Sequence, residues 1–210
     1  MKVLYETGYA VTKDVEVVIN SANGLLFADS TGAGAIRDAS EDLSETERFD
    51  FDQLFSKAPP ELQNFFEKKR EKHGWYYHHE NLSCLKLLAH NNYETHEIGT
   101  AIFDPLWTLQ KTKKVIHAIT LTYNPKTEER IVGTPEQIIS AITQAIEIAL
   151  DFGKKTIALP VPCARPAYGL GPEKSFEIVK KALAGFADED LTITLCFDNE
   201  HTAEFLKTLA

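Results

Sequence analysis

Asn20 and Asn23 stand three residues apart, where the apolar run Val17–Ile19 gives way to the polar stretch NSANGLLFADSTGAGAIRDAS carrying Gly32 and Gly34. A side-chain amide donates through one atom and accepts through the other, so it suits a ligand with neighbouring hydroxyls. Glycine and alanine let backbone N–H groups come close to an anion, and a helix that starts there adds partial positive charge. A second stretch, PVPCARPAYGLGPEKS at 160–175, has the same construction: a buried strand ends, Gly169 and Gly171 follow, and a helix begins. Two such loops facing each other can clamp a diphosphate. The plainer use of the same residues is turn chemistry, since Asn and Gly also close ordinary loops.

Strand-like runs at Val15–Asn20, Lys114–Thr122, Lys155–Pro160 and Leu191–Phe197 supply the elements that would hold these loops. Helices alternate with the later ones. Thr134, Pro135 and Gln137 spell an N-cap, a first helical position and a capping box, and Gly153 is a natural stop. Ile138, Ile142, Ala145, Ile146 and Ala149 form the apolar stripe between them. A second helix follows from Pro172 to Gly185, and HTAEFLKTL closes the chain as a third. This order predicts an α/β fold, a three-layer α/β/α sandwich with a mixed, largely parallel central sheet. Open sheets of that kind bind ligands at the carboxyl ends of their strands, where both loops fall.

The 210 residues fit one domain, 1–210, with 43% hydrophobic and 25% charged residues, as in ordinary globular chains. A net charge of −9 argues against a nucleic-acid partner, which needs a basic stripe. No apolar stretch reaches the roughly 18 residues of a membrane span, and the first residues are too polar for a signal peptide. A cytoplasmic protein with no membrane partner is expected, export without a classical signal being the alternative. The odd number of cysteines, Cys84, Cys163 and Cys196, points to free thiols.

Residues 41–98 differ in character, rich in charge and aromatics, with Leu62, Phe65 and Phe66 on one helical face. They read as a helical insertion on the same domain. Within it, His78, His79, Glu80, Cys84, His90 and His96 have ligand chemistry suited to zinc, but their spacing fits no standard site. A polar surface is the simpler reading, and neither a metal nor another cofactor is expected. His117, inside KKVIHAITL, reads as a hydrogen-bonded core histidine, and Asp38 as a residue of a solvated helix face.

Four segments in order, VVINSANGLL, GTAIFDPLWTLQKTKKVIHAI, TIALPVPCARPAYGLGPEKSFEIV and LTITLCFDNEHTAEFL, resemble the macro domains that bind ADP-ribose. The likeness covers the chain outside 41–98. It implies that Asn20, Ala22 and Asn23 belong to the family's asparagine motif, with Asn23 against the distal ribose and Asn20 bracing the loop. It implies further that Gly32, Ala33, Gly34 and Ala35 form a first phosphate loop, and that Ala164, Arg165, Ala167, Tyr168 and Gly169 form a second. Phe197 matches an aromatic that stacks on adenine, although a core position serves it equally, and Arg165 fits either a phosphate or a surface ion pair. Two departures stand out. Tyr9 follows Gly8 where many members carry an aspartate that reads adenine, and Ala33 replaces the acid found near the distal ribose in many hydrolytic members.

The function implied is binding of ADP-ribose, a related nucleotide or ADP-ribosylated protein. One alternative is removal of ADP-ribose by hydrolysis, with Asp29 as acid or base and Asn23 beside it. Asp29 equally suits a helix cap. The other alternative is a protein-interaction module acting through 41–98.

Overall fold

The structure is a computed structural model that describes residues 1–27, 31–73, 77–109, 113–163, 170–197 and 208, with side chains except at 31–34, 70–73 and 106–109. In chain order the strands are β1 (Lys2–Thr7), β2 (Val17–Asn23), β3 (Ala101–Leu109), β4 (Lys113–Tyr123), β5 (Arg130–Val132), β6 (Thr156–Pro160) and β7 (Thr192–Phe197). The helices are α1 (Thr31–Asp38), α2 (Glu45–Ser56), α3 (Pro60–His73), α4 (His79–His90), α5 (Pro135–Asp151) and α6 (Pro172–Ala184). The expected C-terminal helix lies outside the described residues. No helix among them is long and apolar enough to cross a membrane.

The strands form one seven-stranded sheet in the order β1-β7-β6-β2-β4-β3, with β5 on the far part of β4. Pairing is parallel from β1 through β4, while β3 and β5 run antiparallel to β4. The four expected strands are all present, and β2 continues beyond Asn20 to Asn23. A polar residue does not stop the strand because Asn20 is buried and its amide is bonded to His117 on β4.

Side chains alternate across the sheet as the pleat requires. Val17 and Ile19 on β2, and Ile116 and Ala118 on β4, share a cluster with the stripe of α5 and with Phe176, Val179 and Leu183 of α6. Val18 and Val115 pack with Ile36 of α1, and Ala22 and Ile119 pack with Cys84 of α4. The sheet thus lies between α5 and α6 on one face and α1 and α4 on the other.

Thr134 and Gln137 complete the capping box that starts α5, and Gly153 leaves it with φ +67°. Leu62, Phe65 and Phe66 of α3 are buried in the large cluster, as is Phe51 of α2. Phe65 and Phe66 lie 6.0 and 5.9 Å from Phe27, and Phe65 lies 5.7 Å from Tyr123. These rings seat α3 over the carboxyl ends of β2 and β4. All three cysteines are buried and free. Burial raises each thiol above its ordinary range, Cys196 to about 12.

Two consequences are measurable. Ile146 is fully buried on α5. Its replacement in Ile146→Ala leaves a cavity and should cost about 2–5 kcal/mol in urea unfolding.

Glu16 clips β2 to β6, its Oε2 accepting from Lys155 N at 2.9 Å, Thr156 N at 3.2 Å and Thr156 Oγ1 at 3.2 Å. The Lys155 backbone bond, with the Thr156 and Lys154 bonds behind it, lowers the carboxyl from its ordinary value of 4.5 despite some desolvation. A lowered folded value means that this stabilisation is present above 4.5 and is lost as pH falls through the folded value. In urea melts across acid pH, Glu16→Gln should be less stable than the parent near neutrality, and the gap should close as pH drops below 4.5.

Candidate functional site

The parallel strands β2, β4, β6 and β7 end together, and the chain leaves them at Asn23, Tyr123, Pro160 and Phe197. β2 ends irregularly: Ala22 sits opposite Ile119, whereas Asn23 sits opposite Leu121. Beyond this shift the chain turns back on itself. Leu26 N donates to Asn23 O at 2.8 Å, and Leu26 takes φ +54°. A left-handed backbone is costly for a leucine.

The Asn23 side chain holds that turn. Its Oδ1 accepts from Leu25 N at 3.1 Å and Phe27 N at 3.2 Å, and its Nδ2 donates to Phe27 O at 2.6 Å. The residue is buried. The amide that the resemblance sets against a ribose is therefore engaged by the loop's own backbone. Asn20 lies deeper, with Nδ2 3.1 Å from His117 Nδ1. His117 is a buried, hydrogen-bonded histidine, as its apolar strand implied.

Gly24 is fixed by contact on the other side. A Cβ there would fall 2.4 Å from His96 O and 2.5 Å from Thr95 Oγ1. Gly24 O accepts from His96 N at 2.8 Å and Gly24 N donates to Leu121 O at 2.9 Å. Only a residue without a side chain lets these backbones meet.

Gly32, Ala33, Gly34 and Ala35 lie in the first part of α1, a helix with no acidic residue in its first turn. Its leading backbone N–H groups are those that a helix cannot bond internally. Ala35 packs with the cluster around Val18 and Ile36. Ala22 is buried with Leu26, Cys84 and Ile119. Asp29, Ala164, Arg165, Ala167, Tyr168 and Gly169 lie outside the described residues. The second loop is framed by Cys163, at φ +55°, and Gly171, at φ +76°.

Phe197 is 3% exposed, and its ring stacks on Tyr5 with centroids 6.3 Å apart and planes at 10°. Of its two expected uses, this packing is that of a core residue. Tyr9 is different. It is 42% exposed and follows Gly8, whose N donates to Phe197 O at 2.8 Å. An exposed aromatic thus stands at the carboxyl end of β7, and neither periodicity nor spacing marks it in the sequence.

The histidine-rich segment does not converge. His78 Nδ1 lies 3.3 Å from Asp42 and His79 Nδ1 3.6 Å from Glu47, both side chains half-buried. Cys84 points the other way, into the sheet.

No family model matches the chain, and no curated protein matches it either. Solved structures do. An Oceanobacillus iheyensis macrodomain with MES bound superposes with a TM-score of 0.64 at 18% identity, covering 98% of this chain and 90% of its own. The fold is that of a macro domain. A Trypanosoma brucei macrodomain in complex with ADP gives 0.63 at 12% identity over 100% of this chain and 69% of its own. The same organism's macrodomain in complex with ADP-ribose gives 0.60 at 14% identity over 99% and 69%. These macro domains share the architecture with the chain while differing from it at most positions.

Asn23→Ala removes three hydrogen bonds from a buried turn that contains a left-handed leucine. A loss of about 1–3 kcal/mol in thermal or urea unfolding is expected. An equally stable variant would mean that the turn holds its shape without the amide.

Proposed function

We propose that this chain binds ADP-ribose, free or attached to protein, in the crevice at the carboxyl ends of β2, β6 and β7. The observation that carries the reading is the whole-chain likeness to macro domains crystallised with ADP and with ADP-ribose. The local construction agrees with it. The start of α1 offers backbone N–H groups and small residues to a phosphate. In this reading Asn23 shapes the turn that leads toward those groups.

Tyr9 replaces an acidic reader of adenine by a ring. A base stacked on an aromatic face gains about 1–3 kcal/mol and is not strongly discriminated. Binding without turnover is favoured by the absence of any acid in the first turn of α1. A general acid or base must reach the reacting atoms to assist a water. Asp29, before the helix, is the remaining candidate for that role.

Calorimetric titration with ADP-ribose, ADP and AMP tests the proposal. Saturable binding is expected, tightest for ADP-ribose, and Tyr9→Ala should weaken every adenine ligand by about 1–3 kcal/mol. An absence of heat and of thermal stabilisation with all three nucleotides would overturn it.

A further inference from the structure

The segment 91–99, between α4 and β3, is tied down along its length against the later parts of β2 and β4. Tyr93 Oη donates to Leu54 O of α2 at 2.7 Å, and Thr95 Oγ1 lies 2.8 Å from Thr122 Oγ1 of β4. His96 N donates to Gly24 O at 2.8 Å. Gly99 N donates to Ile119 O at 2.9 Å, and Gly99 O accepts from Ser140 Oγ and Gln144 Nε2 of α5, each at 2.8 Å. The segment is a strap. It presses on the turn that Asn23 closes, so tightly that a side chain on Gly24 would collide with His96 O.

Within this tie the His96 ring is unsatisfied. The residue is half-buried, yet its Nε2 is sealed from solvent and has no hydrogen-bond partner among the described residues. Orphaned polar atoms are few in a native interior, and each calls for a role. Among the described residues, the titratable group that acts on the ring is His117 of β4. Asn23 and Gly24 of the turn, and Gln137, Ser140 and Gln144 of α5, carry no charge, and Glu94 and Glu97 of the strap are exposed. Burial lowers the imidazole below its ordinary 6.5, and the nearby His117 lowers it further.

We propose that His96 is a pH-sensitive positioning residue for the crevice, holding the strap on the β2 turn while its ring is neutral and releasing it in mild acid. The proposal rests on the reading of that crevice as a nucleotide site. A proton taken from solvent puts a hydrogen on both ring nitrogens. The Nε2–H then points into the interior with no acceptor, and the new positive charge is desolvated there. Turning the ring out to water relieves both costs. The backbone of the same residue holds Gly24, so the ring cannot leave without loosening that bond. The turn between Asn23 and Phe27 then loses its outer support. Because the folded value is lowered, the closed strap is fully stable above 6.5 and weakens as pH falls through the folded value.

The test compares the full chain with His96→Gln between about pH 7.5 and pH 5.5, the range in which histidine switches. In the parent, the His96 Cε1–H resonance should titrate with a midpoint below 6.5. Hydrogen-exchange protection of the Gly24 and His96 amides, corrected for intrinsic rates, should fall over the same range. ADP-ribose affinity should drop roughly two- to tenfold, as the binding-competent fraction shrinks. In His96→Gln, protection and affinity should lose this pH dependence. A His96 midpoint at or above 6.5 would overturn the proposal, and so would a Gln variant that keeps the parent's pH profile. Failure to bind ADP-ribose at every pH would sink the nucleotide reading alone, because the resonance and the exchange rates report on the strap without ligand. Should the variant not fold, the titration and exchange of the parent decide.

Discussion

The amide of Asn23 holds the backbone of the residues that follow it, and the open end of the sheet takes its shape from that closure. β2 leaves the ladder one residue out of step with β4, and the chain needs an immediate partner for its exposed N–H and C=O groups. Asn23 supplies it with three hydrogen bonds. The turn carries Phe27 into the aromatic cluster of α3, and it presses Gly24 against the backbone at 95–96. One side chain therefore couples the sheet, the helical segment and the approach to α1.

The two faces of the sheet are built on different chemistry. Toward α5 and α6 the contacts are mainly aliphatic and aromatic, and this face carries most of the hydrophobic driving force. Toward α1 and α4 the apolar layer is split in two. Asn20, Ser83, Asp104 and His117 are buried on this side and linked by hydrogen bonds. Polar networks in a low-dielectric interior are sensitive to each member, because an unmatched group there is costly. This makes the face specific where the other is adhesive.

Sequence patterning was readable where one residue type does one job. Thr134, Pro135, Gln137 and Gly153 delimit α5, and its apolar stripe is buried in full. β3 was hidden because Pro105 breaks its pattern, and a proline is tolerated there only because the strand lies at the sheet's edge. β1 is also an edge strand, and β5 has three residues, too few for any period to appear. His78, His79, Glu80, Cys84, His90 and His96 have ligand chemistry but no ligand spacing, and a polar surface is the simpler expectation for them. Cys84 instead meets Asp104 and His117, residues that only strand register brings together. Tyr9 stands out in the sequence as a departure from the aspartate many macro domains carry, but its exposure is a property of the fold that no residue type announces.

The burial of the three thiols sets how the native chain meets reactive molecules. Thiol oxidation and alkylation proceed through the thiolate, and each of these sulfurs has its ionisation suppressed, Cys196 up to about 12. They are also shielded by the sheet and its helices. An electrophile therefore waits for the fold to open, and damage accrues at the pace of local or global unfolding rather than of collision. The sulfurs act as an internal clock of opening events, silent while the sheet is closed.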